Sequence, residues 1–411
     1  MRAAGALRRA AALTASVATL VAAAAVAPST AGYADSGAVG TALTSAQDGP
    51  LLFTGGVEAG DAHSVGWTAE GELYAWGRNR EGQLGIGSAE PADGPGYPTP
   101  QRVRLPDGRV VVDACAGADA TIAVTEDGEV YTWGASSGGV GGTWGNNTPE
   151  PRRVAELDDP ADPVARVEAG GYFYLALTEG GRLFSWGLAD GRLGRPVVAG
   201  DGNAPPQPVT ARDLHTREVT AASAGRFHGA AIADGEVVVW GTTATGSSTG
   251  AVVTGVVGVP VEVAAGRDVT LVRTEDGRVF QATGTQATEV TGMLAVDGVA
   301  ASSPALTGTT SSFWAWRTRD GARTLYVWGD NASGQLGLGA GQPAHVDAPR
   351  NVGLPVGSYP LRVAGGGAHA LYESTTGQYA ATGSNELGQL GDGTRDSRDM
   401  FVAVIPLSRW P

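Results

Sequence analysis

The sequence predicts an all-β protein with the architecture of a seven-bladed β-propeller. Two observations lead to this: a unit ending in Trp-Gly recurs about every fifty residues, and each unit holds two alternating strands around a turn. The clearest copy is 117–134, GADATIAVTEDGEVYTWG. Asp-Gly between alternating apolar runs is typical of a two-residue type I′ hairpin turn. A further short strand, such as Pro100–Leu105, brings the unit to about four strands, which is one blade.

The spacing inside the unit is regular. A glycine after the first alanine is followed 11 residues later by the turn glycine and 5 residues after that by tryptophan. The copies that keep both intervals with tryptophan are Gly60, Gly71, Trp76; Gly117, Gly128, Trp133; and Gly170, Gly181, Trp186. The fourth copy is one residue shorter, which we assign to its first strand. Ala282 and Thr382 replace tryptophan in the fifth and seventh copies, and the sixth copy, Phe313–Gly329, has a longer hairpin.

The repeated tryptophans are expected to be structural. They end strands at equivalent places, where large rings would fill the space between adjacent blades. These residues are Trp76, Trp133, Trp186, Trp240 and Trp328. Truncating one of them to alanine should cost about 3–5 kcal/mol.

The two ends of the chain suggest how the ring closes. The first copy is preceded by Leu51–Gly56 and has no Pro-x-x-Val strand of its own, whereas Phe401–Leu407 is left over after the last copy. We therefore predict that the C-terminal strand completes the N-terminal blade. Such an arrangement removes an open sheet edge.

The N-terminus has the pattern of an export signal. Arg2, Arg8 and Arg9 precede an uncharged run, Ala10–Ala27, and small residues follow it. We predict a signal peptide over 1–34, cleaved after Ala34 or Ala31, a disordered tail over 35–50 and the propeller over 51–411. The general and twin-arginine routes both stay open, and a retained membrane anchor is the alternative. The mature chain is expected outside the cell, away from membranes.

The charge argues against nucleic-acid partners. The chain carries 28 arginines, no lysine and 42 acidic residues, a net charge of −14, and removal of the signal makes it more negative. Such a surface repels phosphate backbones. The single cysteine, Cys115, excludes an intramolecular disulfide and is expected to be a small buried residue. We expect a monomer without a cofactor.

The repeat resembles a known family. The phrases at 74–87, YAWGRNREGQLGIG, and 326–339, YVWGDNASGQLGLG, are similar to the regulator of chromosome condensation repeat, a seven-bladed propeller. The resemblance covers residues 51–411 and is that of a secreted bacterial member. In eukaryotic members it implies guanine-nucleotide exchange on a small GTPase, together with chromatin binding. An export signal and an acidic surface do not suit those roles, so fold analogy does not transfer them.

Some secreted bacterial propellers with similar repeats bind and block β-lactamase through aromatic residues in the loop after Ala-Gly. Here two such loops, 171–173 and 226–228, carry aromatics. The candidate partner-binding residues are Tyr172, Phe173, Arg226, Phe227 and, in a Gly-rich loop, Trp144. Aromatic and arginine anchors are what a protein-binding hot spot needs. The sequence therefore predicts a protein-binding scaffold acting across one face, with an enzyme inhibitor or a cell-wall glycan binder as alternatives.

The sequence gives little support for a metal site or a catalytic site. His63, His228 and His369 share a repeat position and could bind metal, but a hydrogen bond to the backbone between strands is the preferred interpretation. The Gly-x-Ser-x-Gly matches at 134–138 and 246–250 lack the following helix that a hydrolase requires. The repeats show no convergent carboxylates at the channel mouth, so we assign no catalytic, metal or cofactor residues and expect no enzyme.

Overall fold

The repeats form seven four-stranded antiparallel sheets, each built from consecutive strands. In this computed structural model the described residues are 53–136, 147–197, 202–241, 247–302, 310–319, 322–354, 360–374 and 378–404. The predicted all-β, seven-bladed propeller is confirmed. The predicted signal peptide over 1–34 and tail over 35–50 lie outside the described residues. Among the described residues no helix is long and apolar enough to pass through a bilayer.

The strands of the first four blades are short and evenly spaced. Blade one has β1 (Gly56–Ala59), β2 (His63–Trp67), β3 (Leu73–Gly77) and β4 (Tyr97–Val103); blade two has β5 (Val111–Ala116), β6 (Ala120–Thr125), β7 (Val130–Gly134) and β8 (Thr148–Arg153). Blade three has β9 (Val164–Ala169), β10 (Phe173–Thr178), β11 (Leu183–Leu188) and β12 (Asn203–Pro208); blade four has β13 (Val219–Ala224), β14 (His228–Ala233), β15 (Glu236–Gly241) and β16 (Ser247–Val252).

The last three blades include the longest hairpin. Blade five has β17 (Pro260–Ala265), β18 (Val269–Thr274), β19 (Val279–Thr283) and β20 (Gln286–Glu289); blade six has β21 (Gly298–Ala301), β22 (Ser312–Arg319), β23 (Ala322–Asp330) and β24 (His345–Asn351). Blade seven has β25 (Pro360–Gly365), β26 (His369–Ser374), β27 (Tyr379–Gly383) and β28 (Arg398–Ala403). Short 3-10 turns lie at Pro106–Gly108, Ala155–Leu157, Gly191–Leu193 and Ala211–Thr216.

The hairpin turns differ from the predicted two-residue type in most described blades. In blade two the Gly128 N–H donates to the Thr125 carbonyl at 2.9 Å, and of the central residues only Gly128 has a positive φ, 78°. This is a three-residue loop ending in a left-handed glycine. In blade four Asp234 and Gly235 both have positive φ, and Ala233 pairs with Glu236. The missing residue of the fourth copy is therefore lost from the turn, and our assignment to the strand was wrong.

The predicted ring closure by the C-terminal strand is also wrong. β28 pairs with β27 and is the outer strand of blade seven, while blade one is complete with β1 to β4. The reason is the phase of the repeat: the Pro-x-x-Val strand pairs with the hairpin that precedes it, as Ala75 does with Gln101. Each unit therefore begins with the strand before Ala-Gly, and every strand of the described residues belongs to one of the seven blades. Residues 405–411 lie outside the described part of the chain.

Side chains join the first and last blades instead. Phe53 stacks on Trp76 of blade one with ring centroids 5.5 Å apart and lies 5.2 Å from the Tyr379 ring of blade seven. The Ser64 hydroxyl is 2.8 Å from His369 Nε2, and Trp76 Nε1 donates to the Gln389 carbonyl at 3.0 Å. The ring is thus closed by the same kind of packing that joins its other neighbours.

The core consists of apolar layers between neighbouring blades. One layer joins Val65 of blade one to Tyr131 of blade two, and others repeat around the ring. The five repeat tryptophans are at most 3% exposed and lie in the core. Trp133 Nε1 donates to the Gln83 carbonyl of the preceding blade at 2.9 Å. The Gly-Gln-Leu-Gly loop of one blade thus caps the tryptophan of the next.

Candidate functional site

The loops after Ala-Gly form a ring around one end of the central channel. We call this the mouth; its described loops are 60–63, 117–120, 170–173, 225–228, 266–269 and 366–369. Backbone bonds link them between blades: Asp61 N to Gly117 O at 3.2 Å, Gly171 N to Gly225 O at 3.1 Å, and Gly367 N to Gly60 O at 3.0 Å. The sheets therefore fix the backbone positions from which the mouth side chains extend. Residues 303–309 of the blade six loop lie outside the described residues.

Aromatic and arginine side chains gather at blades three to five of the mouth. Tyr172 and Phe227 are both half-buried. The Arg226 guanidinium carbon lies 5.6 Å from each ring centroid, and that of Arg192 lies 5.8 Å from each. Arg267 adds a further contact with Phe227 at 5.6 Å. Guanidinium groups attract ring faces, so these residues form one packed stack. We call Tyr172, Phe227, Arg192, Arg226 and Arg267 the mouth stack.

The arginines at the mouth are paired with aspartates. These pairs are Arg78–Asp119 at 3.0 Å, Arg192–Asp190 at 2.6 Å, Arg226–Asp61 at 3.2 Å and Arg267–Asp268 at 3.2 Å. In a chain of net charge −14, this surface is balanced. It offers rings and hydrogen-bonding groups and has little net charge with which to attract a highly charged ligand.

Two of the predicted partner-binding residues are placed differently from the expectation. Phe173 is fully buried, because it occupies the repeat position that carries histidine in three other blades. Its ring therefore lies in the core and not at the surface, where a partner-binding side chain would have to be. Arg226 is 3% exposed, and its guanidinium lies against both rings. Tyr172 and Phe227 are brought together as expected, while Trp144 lies outside the described residues.

The shared histidine position is structural. His63 Nε2 lies 2.9 Å from the Thr121 hydroxyl and His228 Nε2 lies 2.8 Å from the Thr270 hydroxyl. The Nε2 partner is thus a side-chain hydroxyl of the next blade, and His228 also makes the expected backbone bond, with Arg267. Burial lowers the pKa of His63 to about 3 and of His228 to about 4. Within the described residues no group of three or more His, Cys, Asp or Glu side chains could hold a metal ion.

Sequence reasoning missed a set of carboxylates along the channel wall. Glu58, Asp113, Glu168 and Glu262 lie on the innermost strands of blades one, two, three and five. Their signal was available: each stands two or four residues before the Ala-Gly glycine, on the strand face opposite the blade packing. Burial raises the pKa of Glu58 to about 8, with the Glu168 charge adding to the rise. Burial likewise raises the pKa of Glu168 to about 8, with Asp113 contributing.

These polar groups satisfy the open edges of the inner strands. The Val167 N–H donates to Asp113 Oδ2 at 3.0 Å, and the Ala265 N–H donates to the Ser223 hydroxyl at 3.0 Å. The Val299 N–H approaches Glu262 Oε1 at 3.4 Å. An innermost strand has unpaired N–H groups that are costly to bury. The channel carboxylates therefore serve the fold, and Cys115 lies among them with its thiol pKa raised by burial.

The comparisons with known proteins match the repeats. Two models of the regulator of chromosome condensation repeat match this chain, one at residues 70–124, 127–177 and 324–372 and the other at 56–83, 111–139 and 164–192. The chain therefore contains these repeats, as the motifs predict. A solved structure, human WBSCR16, has 21% sequence identity and a TM-score of 0.67, covering 81% of this chain and 93% of that one. This likeness supports the fold alone.

Curated relatives match over less than half of the chain. The human E3 ubiquitin-protein ligase HERC2 is 37% identical over 191 residues, which are 45% of this chain and 4% of that protein. The ultraviolet-B receptor UVR8 of Arabidopsis thaliana is 32% identical over 189 residues, 45% of this chain and 40% of that protein. Because the match spans two-fifths or less of these relatives, their names describe those proteins and not this chain.

Proposed function

We propose that this chain is a secreted, non-catalytic propeller that binds another protein across the mouth. The observation that carries the proposal is the mouth stack, in which Tyr172 and Phe227 are half-buried rings supported by arginines. Rings held in this way offer a large contact area with little loss of side-chain entropy, which is typical of interface anchors. A matching stretch occurs in the ultraviolet-B receptor UVR8 of Arabidopsis thaliana, and a binding role for this chain is in keeping with that.

The charge balance of the mouth narrows the kind of partner. Because each mouth arginine has its own aspartate, electrostatic steering toward this face is weak. A partner would dock mainly through apolar and aromatic contacts at the centre of its own surface. Its association rate should therefore change little with ionic strength, unlike that of a basic protein attracted by the acidic remainder of the surface.

Secretion is part of the same proposal. It rests on the predicted signal peptide over 1–34, with cleavage after Ala34 or Ala31 by either export route. A mature extracellular chain would act as a monomer without nucleic-acid or membrane partners. N-terminal sequencing of protein from culture medium would locate the cleavage site, and a chain retained in the cell with an intact Met1 end would contradict the proposal.

The test is affinity capture of extracellular proteins by the mature propeller, repeated with Tyr172→Ala/Phe227→Ala. The control is Tyr326→Ala, which removes a half-buried ring that lies 5.1 Å from the Arg317 guanidinium and packs against the core of blade six, outside the mouth loops. We expect the double variant to lose the captured protein and the control to keep it. Equal capture by all three proteins would show that the mouth is not the binding surface.

An inhibitor of an extracellular β-lactamase is the second candidate. The aromatic loops at 171–173 and 226–228 favour it, since blocking an active site needs a rigid apolar patch. Steady-state inhibition of a purified class A β-lactamase tests it directly, with the double variant as control. No inhibition at micromolar propeller would remove this candidate while leaving the broader scaffold proposal standing. Retention on cell-wall glycan by wild type and double variant alike would instead favour the glycan-binding alternative.

A further inference from the structure

One ion pair crosses the mouth. Asp61 belongs to the loop of blade one and Arg226 to the loop of blade four, three blades away in a ring of seven, so the two residues come from nearly opposite sides. Arg226 Nη1 lies 3.2 Å from Asp61 Oδ2, and the side chains are 4% and 10% exposed. Such a buried pair is sensitive to the loss of one partner, because the remaining charge is then left without compensation.

Arg226 has a second set of contacts, with the rings of Tyr172 and Phe227 at 5.6 Å each. An arginine side chain has many rotamers, so ring contacts alone do not fix its position. Asp61 supplies the missing constraint from across the channel. The backbone is closely packed here as well, since a Cβ on Gly171 would lie 2.4 Å from the Arg226 carbonyl oxygen. The position of the Arg226 side chain therefore affects the conformation of both aromatic loops.

We propose that Asp61 is a positioning residue of the mouth, which holds Arg226 beside Tyr172 and Phe227 and so keeps both rings in one arrangement before a partner arrives. This inference rests on the proposed function, because it concerns the same binding surface. It adds that a residue without aromatic character, two blades from Tyr172 and three from Phe227 in chain order, sets the shape of that surface. Preorganisation of this kind increases affinity by removing the ordering cost from the binding step.

The charges that face Asp61 are Arg226, Arg78 and Asp119. Burial raises the pKa of the Asp61 carboxyl to about 7, Arg226 and Arg78 oppose this rise, and Asp119 adds to it. The ion pair is complete only when this carboxyl is ionised. The experiment is therefore made at about pH 8.5, above that pKa.

The experiment is hydrogen–deuterium exchange of the free mature propeller, read at the mouth amides of Gly171 and Arg226, which donate to Gly225 O and Gly266 O at 3.1 Å. Asp61→Asn is compared with Asp268→Asn, which breaks a neighbouring but more exposed pair, Arg267–Asp268. We expect Asp61→Asn to raise exchange at both amides at least about tenfold, and Asp268→Asn to change it less than about twofold. Strand amides of blade six should keep their wild-type rates in both variants.

A second pair of variants separates the ion pair from a general loss of packing. Arg226→Met keeps an unbranched side chain and removes the charge. If the pair acts as proposed, adding Asp61→Asn to Arg226→Met raises exchange no further, because no charge pair is left to break. Wild-type exchange in Asp61→Asn, or additive effects in the double variant, would overturn the inference. Neither result depends on a partner, so the capture experiment with Tyr172→Ala/Phe227→Ala remains an independent test of the proposed function.

Discussion

The tryptophans between the blades and the rings at the mouth are supported in different ways. Trp133 is fully buried, packs within an apolar layer and donates its N–H to the neighbouring blade. Tyr172 and Phe227 are half-buried and pack against arginines that are paired with aspartates. The first arrangement recurs in most blades and the second occurs at one side of the mouth. Residues that hold the ring together are thus repeated, and residues that could bind a partner are where the copies differ.

The largest loss of stability is expected when a tryptophan between two blades is truncated. Trp133→Ala should lower the free energy of unfolding by about 3–5 kcal/mol, because it empties a buried site and removes the bond to Gln83. Guanidinium unfolding measures the change. Val112→Ala, at a residue 45% exposed on the same blade, is the control and should change stability by less than about 0.5 kcal/mol. A similar small loss for Trp133→Ala would contradict the structural role of the ring.

The channel carboxylates should make the protein less stable as the pH rises. The folded pKa of Glu58 is raised from 4.5 to about 8, so its contribution is present below 4.5 and lost as pH rises through 8. Glu58→Gln removes this titration and should raise the free energy of unfolding near pH 8.5 by about 1–3 kcal/mol relative to wild type. The exposed Glu156 provides the control variant, Glu156→Gln. An equal pH slope in wild type and Glu58→Gln would rule out this origin.

The buried histidines should act in the opposite sense. The folded pKa of His63 is lowered from 6.5 to about 3 by burial, with His369 and Arg78 contributing. Its contribution is therefore present above 6.5 and lost as pH falls toward 3. Replacing it, as in His63→Gln, should make the fall in stability between about pH 6.5 and 4 shallower by about 1–2 kcal/mol. His345→Gln, at a half-exposed residue of blade six, should leave that fall unchanged.

The smallest stability effect is expected at the mouth rings. Tyr172→Ala/Phe227→Ala should shift the free energy of unfolding by less than about 1 kcal/mol, because both rings lie outside the layers between the blades. The same thermal or denaturant unfolding used for Trp133→Ala measures this. A loss as large as that of Trp133→Ala would mean that the rings belong to the core, and would remove the basis for treating them as a binding surface.

Local patterns in the sequence were reliable where one short segment decides the outcome. The alternation around Asp127-Gly128 gives the hairpin, and the Trp-Gly ending gives the junction ring. Pairing was less reliable because it joins segments separated by long loops. Nothing within Pro100–Leu105 states whether it pairs with the hairpin before it or after it, and this choice decided how the ring closes. The turn type also failed, since Asp-Gly is compatible with both two-residue and three-residue loops.

Only part of the candidate site could be predicted, because the rest depends on residues that are far apart in the sequence. The sequence shows aromatics at 172, 173 and 227 and places Phe173 at the repeat position of His63 and His228, but only the folded repeat shows that this position is buried in the core. The channel carboxylates were visible as single letters in separate repeats. They form a set only when the innermost strands are brought side by side.

The sequence by itself determined the repeat, the number of blades and the buried tryptophans, because these follow from periodicity and from burial of large rings within one unit. The tertiary structure decided which strands complete each blade, how blade seven meets blade one, and which mouth side chains touch. These features depend on contacts between residues as far apart in the sequence as Asp61 and Arg226. The residues around each of them give no indication that the two are close in space. Only the closed ring brings these two charges within 3.2 Å and places two aromatic side chains beside them.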